Sequence, residues 1–164
     1  MSRRRGALMV YLVLLLLVGL QFYVRPRLWD GRGAPDFLLL ALLIFAMRSR
    51  PGTAAIAGFV VGLITDSLTP ARFGAGALAH TLVAYLAAWG RAVFFADNLV
   101  VNAGLFAAGV WVRNAVMLLA SGTSGADLLT SMTFWSPLQA LSTVLAGVLV
   151  VLLFRDWLAI RLDE

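Results

Sequence analysis

What most constrains this chain is a succession of six apolar stretches divided by short polar turns. They run from Ala7 to Val24, Phe37 to Met47, Thr53 to Leu68, Gly74 to Trp89, Leu99 to Ala120 and Trp135 to Phe154. A helix rises about 1.5 Å per residue, so a hydrocarbon layer of about 30 Å takes about 20 residues to cross. Five of the runs approach or reach that length. Apolar residues form 62% of the 164 residues and charged ones 13%, against about half and a quarter in an ordinary soluble domain. A globule of this size has no interior large enough for that apolar surface, so lipid must serve as solvent for much of it. The expected fold is an all-α integral membrane protein, a single helical-bundle domain over residues 1–164. Its six transmembrane helices would cover about 7–24, 36–47, 53–68, 74–90, 98–120 and 135–154, the second one short.

The connections leave no room for an extramembrane domain, and arginines mark them. All 13 basic residues are arginine, and they give a net charge of +5. Because they fall between apolar runs rather than on one face, they read as topology signals and not as a nucleic-acid surface. With the N-terminus inside, eight arginines lie on the cytoplasmic side (3, 4, 5, 48, 50, 91, 155 and 161) and four outside (25, 27, 32 and 72). That bias predicts both termini in the cytoplasm. Trp29 and Trp135 then fall at the outer interface, Trp89 and Trp157 at the inner one. Arg3-Arg4-Arg5 before an apolar run resembles a secretory signal, but the run ends Gly19-Leu20-Gln21-Phe22-Tyr23 without a small-residue cleavage site. It reads as an uncleaved first span.

The second run is anomalous. Its 11 residues rise only about 16 Å, half a bilayer. A re-entrant hairpin with the third run would leave Arg48 and Arg50 at mid-membrane, at about 2.5–3.5 kcal/mol each. A short span with local thinning and snorkelling arginines costs less. Both arrangements return the C-terminus to the inside.

Few residues within the runs can carry chemistry. Ala54, Gly58, Gly62 and Asp66 recur every four positions, a small-residue stripe that admits another helix closely and ends in a carboxylate. Helix packing, with Asp66 merely at the outer headgroup level, is the simpler reading; a buried polar site in the outer half of the bundle is the alternative. On the fifth run Asn102, Phe106, Gly109 and Arg113 share one face. Arg113 lies about 10 Å below the end of its run, a depth similar to that of Asp66. An Asp66–Arg113 pair is therefore expected, with outward snorkelling of Arg113 as the alternative. His80, the only histidine, sits among glycines and alanines near the same depth and reads as a structural hydrogen-bonding residue. Asp36 after Pro35 reads as a helix N-cap. Asp36, Asp66, His80 and Arg113 form the expected polar cluster; Ala54, Gly58, Gly62 and Gly109 are the expected packing positions. The stretch Ser121 to Thr133 reads as a connector.

Enzyme templates fail. The chain has no cysteine, no lysine, no HExxH, no GxSxG and no Walker loop. Asp66, Ala71-Arg72 and Gly76 only loosely resemble the aspartate motif of CDP-alcohol phosphotransferases, with altered spacing and no downstream aspartate pair. No catalytic residue, metal or cofactor is expected.

One family resemblance does emerge. Pro35-Asp36-Phe37-Leu38-Leu39-Leu40-Ala41-Leu42, then Gly58-Phe59-Val60-Val61-Gly62-Leu63-Ile64-Thr65-Asp66-Ser67, then Phe73-Gly74 and the run Thr81 to Leu86 resemble the MreD family of rod shape-determining membrane proteins. The similarity is clearest over residues 35–90 and covers Asp36, Gly58, Gly62 and Asp66. Thr69-Pro70-Ala71-Arg72 departs from the family's glycine-rich turn after the aspartate. The resemblance implies a multi-pass protein of the bacterial cytoplasmic (inner) membrane and a six-helix bundle similar to the substrate-binding components of ECF vitamin transporters. It also implies a non-enzymatic scaffold of the peptidoglycan elongation machinery, one that binds MreC directly and reaches MreB, RodZ and the RodA–PBP2 pair through the complex. The competing class is a small-molecule-binding transporter component. The scaffold is preferred because Gln21, His80, Asn102, Asn114 and Gln139 are scattered over several helices rather than gathered as a ligand would want.

Overall fold

The computed structural model describes residues 2–28, 31–68, 73–93 and 99–154, and the side chains of these except 2–7 and 91–93. Among the described residues the chain is helical, with no strand. The helices are α1 (Ser2–Tyr23), α2 (Phe37–Ala46), α3 (Pro51–Ser67), α4 (Ala75–Val93), α5 (Leu99–Ala120), α6 (Gly125–Thr130) and α7 (Ser136–Leu153). A 3-10 turn at Arg25–Arg27 follows α1, and a π-helical turn at Ser131–Trp135 joins α6 to α7.

The short second run proves to be the centre of the bundle. Of the ten residues of α2, all but Leu38 and Phe45 are buried, and the helix touches α1, α3, α4, α5 and α7. A helix apolar on every side is stable only when enclosed. Its length also has an explanation. The segment before it descends alongside α7, where Ser142 Oγ donates to the Gly33 carbonyl at 2.7 Å and the Asp36 N–H donates to Thr143 Oγ1 at 3.0 Å. So α2 starts level with Thr143, about two turns into α7, rather than with the first residue of that helix.

Around this axis the other helices present one face inward. On α7 the buried positions are Ser136, Gln139, Ala140, Thr143, Gly147 and Val150, a single stripe at helical spacing. Its opposite face carries exposed Leu138, Leu141, Leu145, Leu149 and Leu152, and α1 likewise exposes Leu8, Leu12, Leu15 and Leu16. On α7 the small and polar side chains are thus mostly inside and the leucines outside, as expected where lipid is the solvent. The expected stripe on α3 is buried along its whole length, at Ala54, Gly58, Gly62 and Asp66. It faces α4, the neighbour with which α3 makes its most extensive contact.

Three helical stretches are long and apolar enough to cross a membrane: Leu8–Arg27, Leu99–Ala120 and Gly125–Leu153. Phe37–Ala46, Pro51–Ser67 and Ala75–Gly90 are shorter apolar helices. The reading of Ser121 to Thr133 as a plain connector is corrected here. The helix that ends at Leu153 starts at Gly125, ten residues before the expected Trp135, and runs through the π turn. Ser124 before it and Asp127 in its first turn are a helix-start pattern. Trp29, Arg72, Trp157 and the turn Thr69 to Arg72 lie outside the described residues.

Candidate functional site: a polar chamber beneath an arginine-lined vestibule

The polar residues, scattered in sequence, gather at one end of the bundle. Gln21 comes from the end of α1, Arg25 from the 3-10 turn after it, Asp36 from the start of α2, Asp66 from the end of α3, His80 from α4 and Arg113 from α5. Together they line a small chamber of about 170 Å³. All four residues of the expected cluster, Asp36, Asp66, His80 and Arg113, contribute to its wall. The expected dispersal of such residues is therefore corrected: the fold brings Gln21 and His80 together here, while Asn114 and Gln139 meet nearby.

The pairing differs from expectation. Arg113 makes its ion pair with Asp36, not with Asp66. The two side chains retain 13% and 6% of their exposure, so the pair is largely removed from any solvent. Asp36 has a second task. Its Oδ1 accepts from the Leu39 N–H at 2.9 Å, the expected N-cap. Gln21 Oε1 accepts from the Leu38 N–H at 3.3 Å, and Thr143 Oγ1 takes the Asp36 N–H. The first backbone N–H groups of α2 have no partner within the helix, and these side chains supply their acceptors.

Asp66 is occupied elsewhere, which is why it leaves Arg113 free for Asp36. Its Oδ2 accepts from the N–H groups of Gly74 and Ala77, and its Oδ1 from that of Gly76, all at 2.9 Å. The carboxylate thus closes the start of α4, where backbone donors and the helix dipole both favour negative charge. Gly74 has φ +97, which L side chains rarely adopt, and a Cβ on Gly76 would lie 2.3 Å from Asp66 Oδ1. Gly74→Ala is expected to cost about 1–2 kcal/mol from the backbone alone, since nothing else lies within 4 Å of the added Cβ. Thermal unfolding in detergent measures it.

His80 is buried, and its Nδ1 lies 2.8 Å from the Gly76 carbonyl. A carbonyl only accepts, so the proton sits on Nδ1. The expected structural role of His80 agrees with this bond. On α5 the predicted face turns inward: Phe106 and Gly109 are buried, and Leu43 of α2 packs where a Gly109 side chain would stand. One turn beyond Gly109, Asn114 Nδ2 donates to Ser136 Oγ at 3.1 Å and Gln139 Oε1 at 2.9 Å, tying α5 to α7.

Above the chamber lies a vestibule of about 860 Å³. Arg25, Arg113 and Met117 belong to both spaces. The vestibule also reaches Arg32, whose guanidinium carbon stands 5.6 Å from the Trp135 ring centroid, together with Asp127 of α6 and the hydroxyls of Ser124, Thr130 and Ser131. In the sequence Arg25 and Arg32 look like topology arginines, and Asp127, Ser136 and Thr143 belong to no functional motif. Only the Ser124–Asp127 helix start gave a signal for that wall. Among the described residues no group of three His, Cys, Asp or Glu could hold a metal ion.

A family model described as rod shape-determining protein MreD matches residues 2–157. Neither the curated proteins nor the solved structures gave a match to the chain.

Proposed function

The chain belongs to the MreD family of rod shape-determining membrane proteins, and from that premise we propose that it is a multi-pass, non-enzymatic scaffold of the cell-elongation machinery in the bacterial inner membrane. Both termini lie in the cytoplasm in this reading, and the chamber opens to the outer face. The direct partner is MreC, with MreB, RodZ, RodA and PBP2 reached through the complex.

The observation that carries the reading is a shallow apolar groove of about 720 Å³ between α5 and α7, lined by Val100, Ala103, Gly104, Ala107, Ala108 and Trp111 from α5 and by Ala140 and Val144 from α7. Small residues on a lipid-facing surface allow a further membrane helix to approach closely, and MreC, as a bitopic protein, has one to offer. A Cβ at Gly104 would meet nothing within 4 Å. Gly104→Leu is therefore expected to fold normally, within about 0.5 kcal/mol of the parent, while sharply reducing recovery of MreC in detergent co-purification. Undiminished recovery would remove the groove from the interface, and failure of the parent chain to recover MreC would remove the scaffold reading.

The chamber and vestibule favour a second reading, a substrate-binding component similar to those of ECF vitamin transporters. Co-purification of an ATPase pair with a coupling membrane subunit would select it.

A further inference from the structure

We propose that the vestibule is a binding site for a phosphate ester, its anionic oxygens held by Arg25 and Arg32 at the mouth of the chamber. The inference is independent of MreC docking, because the vestibule and the α5–α7 groove share no lining residue.

Three observations support it. The first is charge. Arg113 is neutralised by Asp36, whereas Arg25 and Arg32 form no ion pair among the described residues. Asp127 is the vestibule's own carboxylate, and with Asp36 and Asp66 of the adjoining chamber it matches the three arginines overall, so the positive charge is local to the mouth, at Arg25 and Arg32. The second is unmet hydrogen bonding. The Nε atoms of Arg25 and Arg113 are buried without a hydrogen-bond partner, a condition that native proteins rarely leave unanswered. The third is size and lining. About 860 Å³ falls within the range of pockets for small molecules, about 300–1,000 Å³, and far exceeds what a bare inorganic anion needs. The hydroxyls of Ser124, Thr130 and Ser131 line the same space as the guanidinium groups.

Guanidinium forks match phosphate oxygens in geometry and charge, and such contacts are among the stronger hydrogen bonds. The ester has two possible sources. One is a phospholipid headgroup, in keeping with the exposed Leu119, Leu129 and Phe134 next in sequence to the vestibule residues Leu118, Thr130 and Trp135; the other is a soluble phosphate ester.

Binding to the purified full chain in a non-ionic detergent tests the proposal. The probes are short-chain phosphatidylglycerol, glycerol 3-phosphate and a short-chain diacylglycerol lacking phosphate. Saturable binding of at least one phosphate probe is expected, with none of the diacylglycerol. Tighter binding of phosphatidylglycerol assigns the site to a lipid headgroup, and equal or tighter binding of glycerol 3-phosphate assigns it to a soluble ester. Arg25→Gln should weaken binding at least tenfold. Arg32→Gln, at an exposed position where folding is not at stake, should weaken it several-fold, and Asp127→Asn should strengthen it. Absence of saturable phosphate binding, or affinities unmoved by both arginine substitutions, would overturn the proposal.

Discussion

Asp36→Ala is expected to lower the stability of the bundle by about 3–5 kcal/mol, because it leaves the buried Arg113 charge without its partner and uncaps α2. Arg113→Ala should cost a similar amount for the converse reason. The double variant is expected to be far less damaged than the sum, since most of each single penalty is an uncompensated charge. Unfolding of the four proteins in one detergent gives the coupling energy directly. Repeating the cycle with Asp66 in place of Asp36 should return a much smaller coupling, because the Asp66 carboxylate is held by the N–H groups of Gly74, Gly76 and Ala77. A larger coupling for Asp66 than for Asp36 would show that Asp66, not Asp36, is the partner of Arg113.

The second large effect concerns the contact between α3 and α4. A Cβ at Gly62 would stand 2.4 Å from Ala77 Cα and 2.4 Å from the Gly76 carbonyl oxygen; at Gly58 it would stand 2.4 Å from the His80 carbonyl oxygen. These are backbone atoms, which cannot swing aside as a side-chain terminus can. Gly62→Val must therefore push the two helices apart. Overpacking usually costs about 1–3 kcal/mol and sometimes more, and here the same shift pulls Asp66 off the start of α4. The expected loss is about 3 kcal/mol or more, seen as a lowered unfolding temperature in detergent. Gly52→Ala, on the same helix with nothing within 4 Å of the added Cβ, is the control and should stay within about 0.5 kcal/mol of the parent. Equal stability of the two variants would show that α3 and α4 do not pack as described.

Much of the site could be read in advance, yet one central relation could not. The stripe Ala54, Gly58, Gly62 and Asp66 was legible because a period of four places residues on one helical face, and that face is buried. The inward face of α5 followed from the same rule. Asp36 was legible as a cap from its position after Pro35 and before an apolar run. The polar turn after α1 was not: Arg25 resembles any topology arginine until Arg113, Asp36 and His80 are seen around the same chamber. Thr143 gave no sign either, because its work is to accept the N–H of Asp36, 107 residues away in sequence.

The sequence by itself determined the apolar runs, apart from the early start of the last, and the inward faces of α3 and α5. All of these follow from helical rise and period acting within a single segment. Tertiary structure alone decided which helix lies at the centre and which carboxylate meets Arg113. Depth is one coordinate, and Asp36 and Asp66 line the same small chamber; the choice between them depends on the lateral order of helices. With α2 enclosed by five others, Asp36 stands beside α5. Asp66, at the end of α3, is taken first by the neighbouring start of α4, which a connection of only a few residues keeps within its reach.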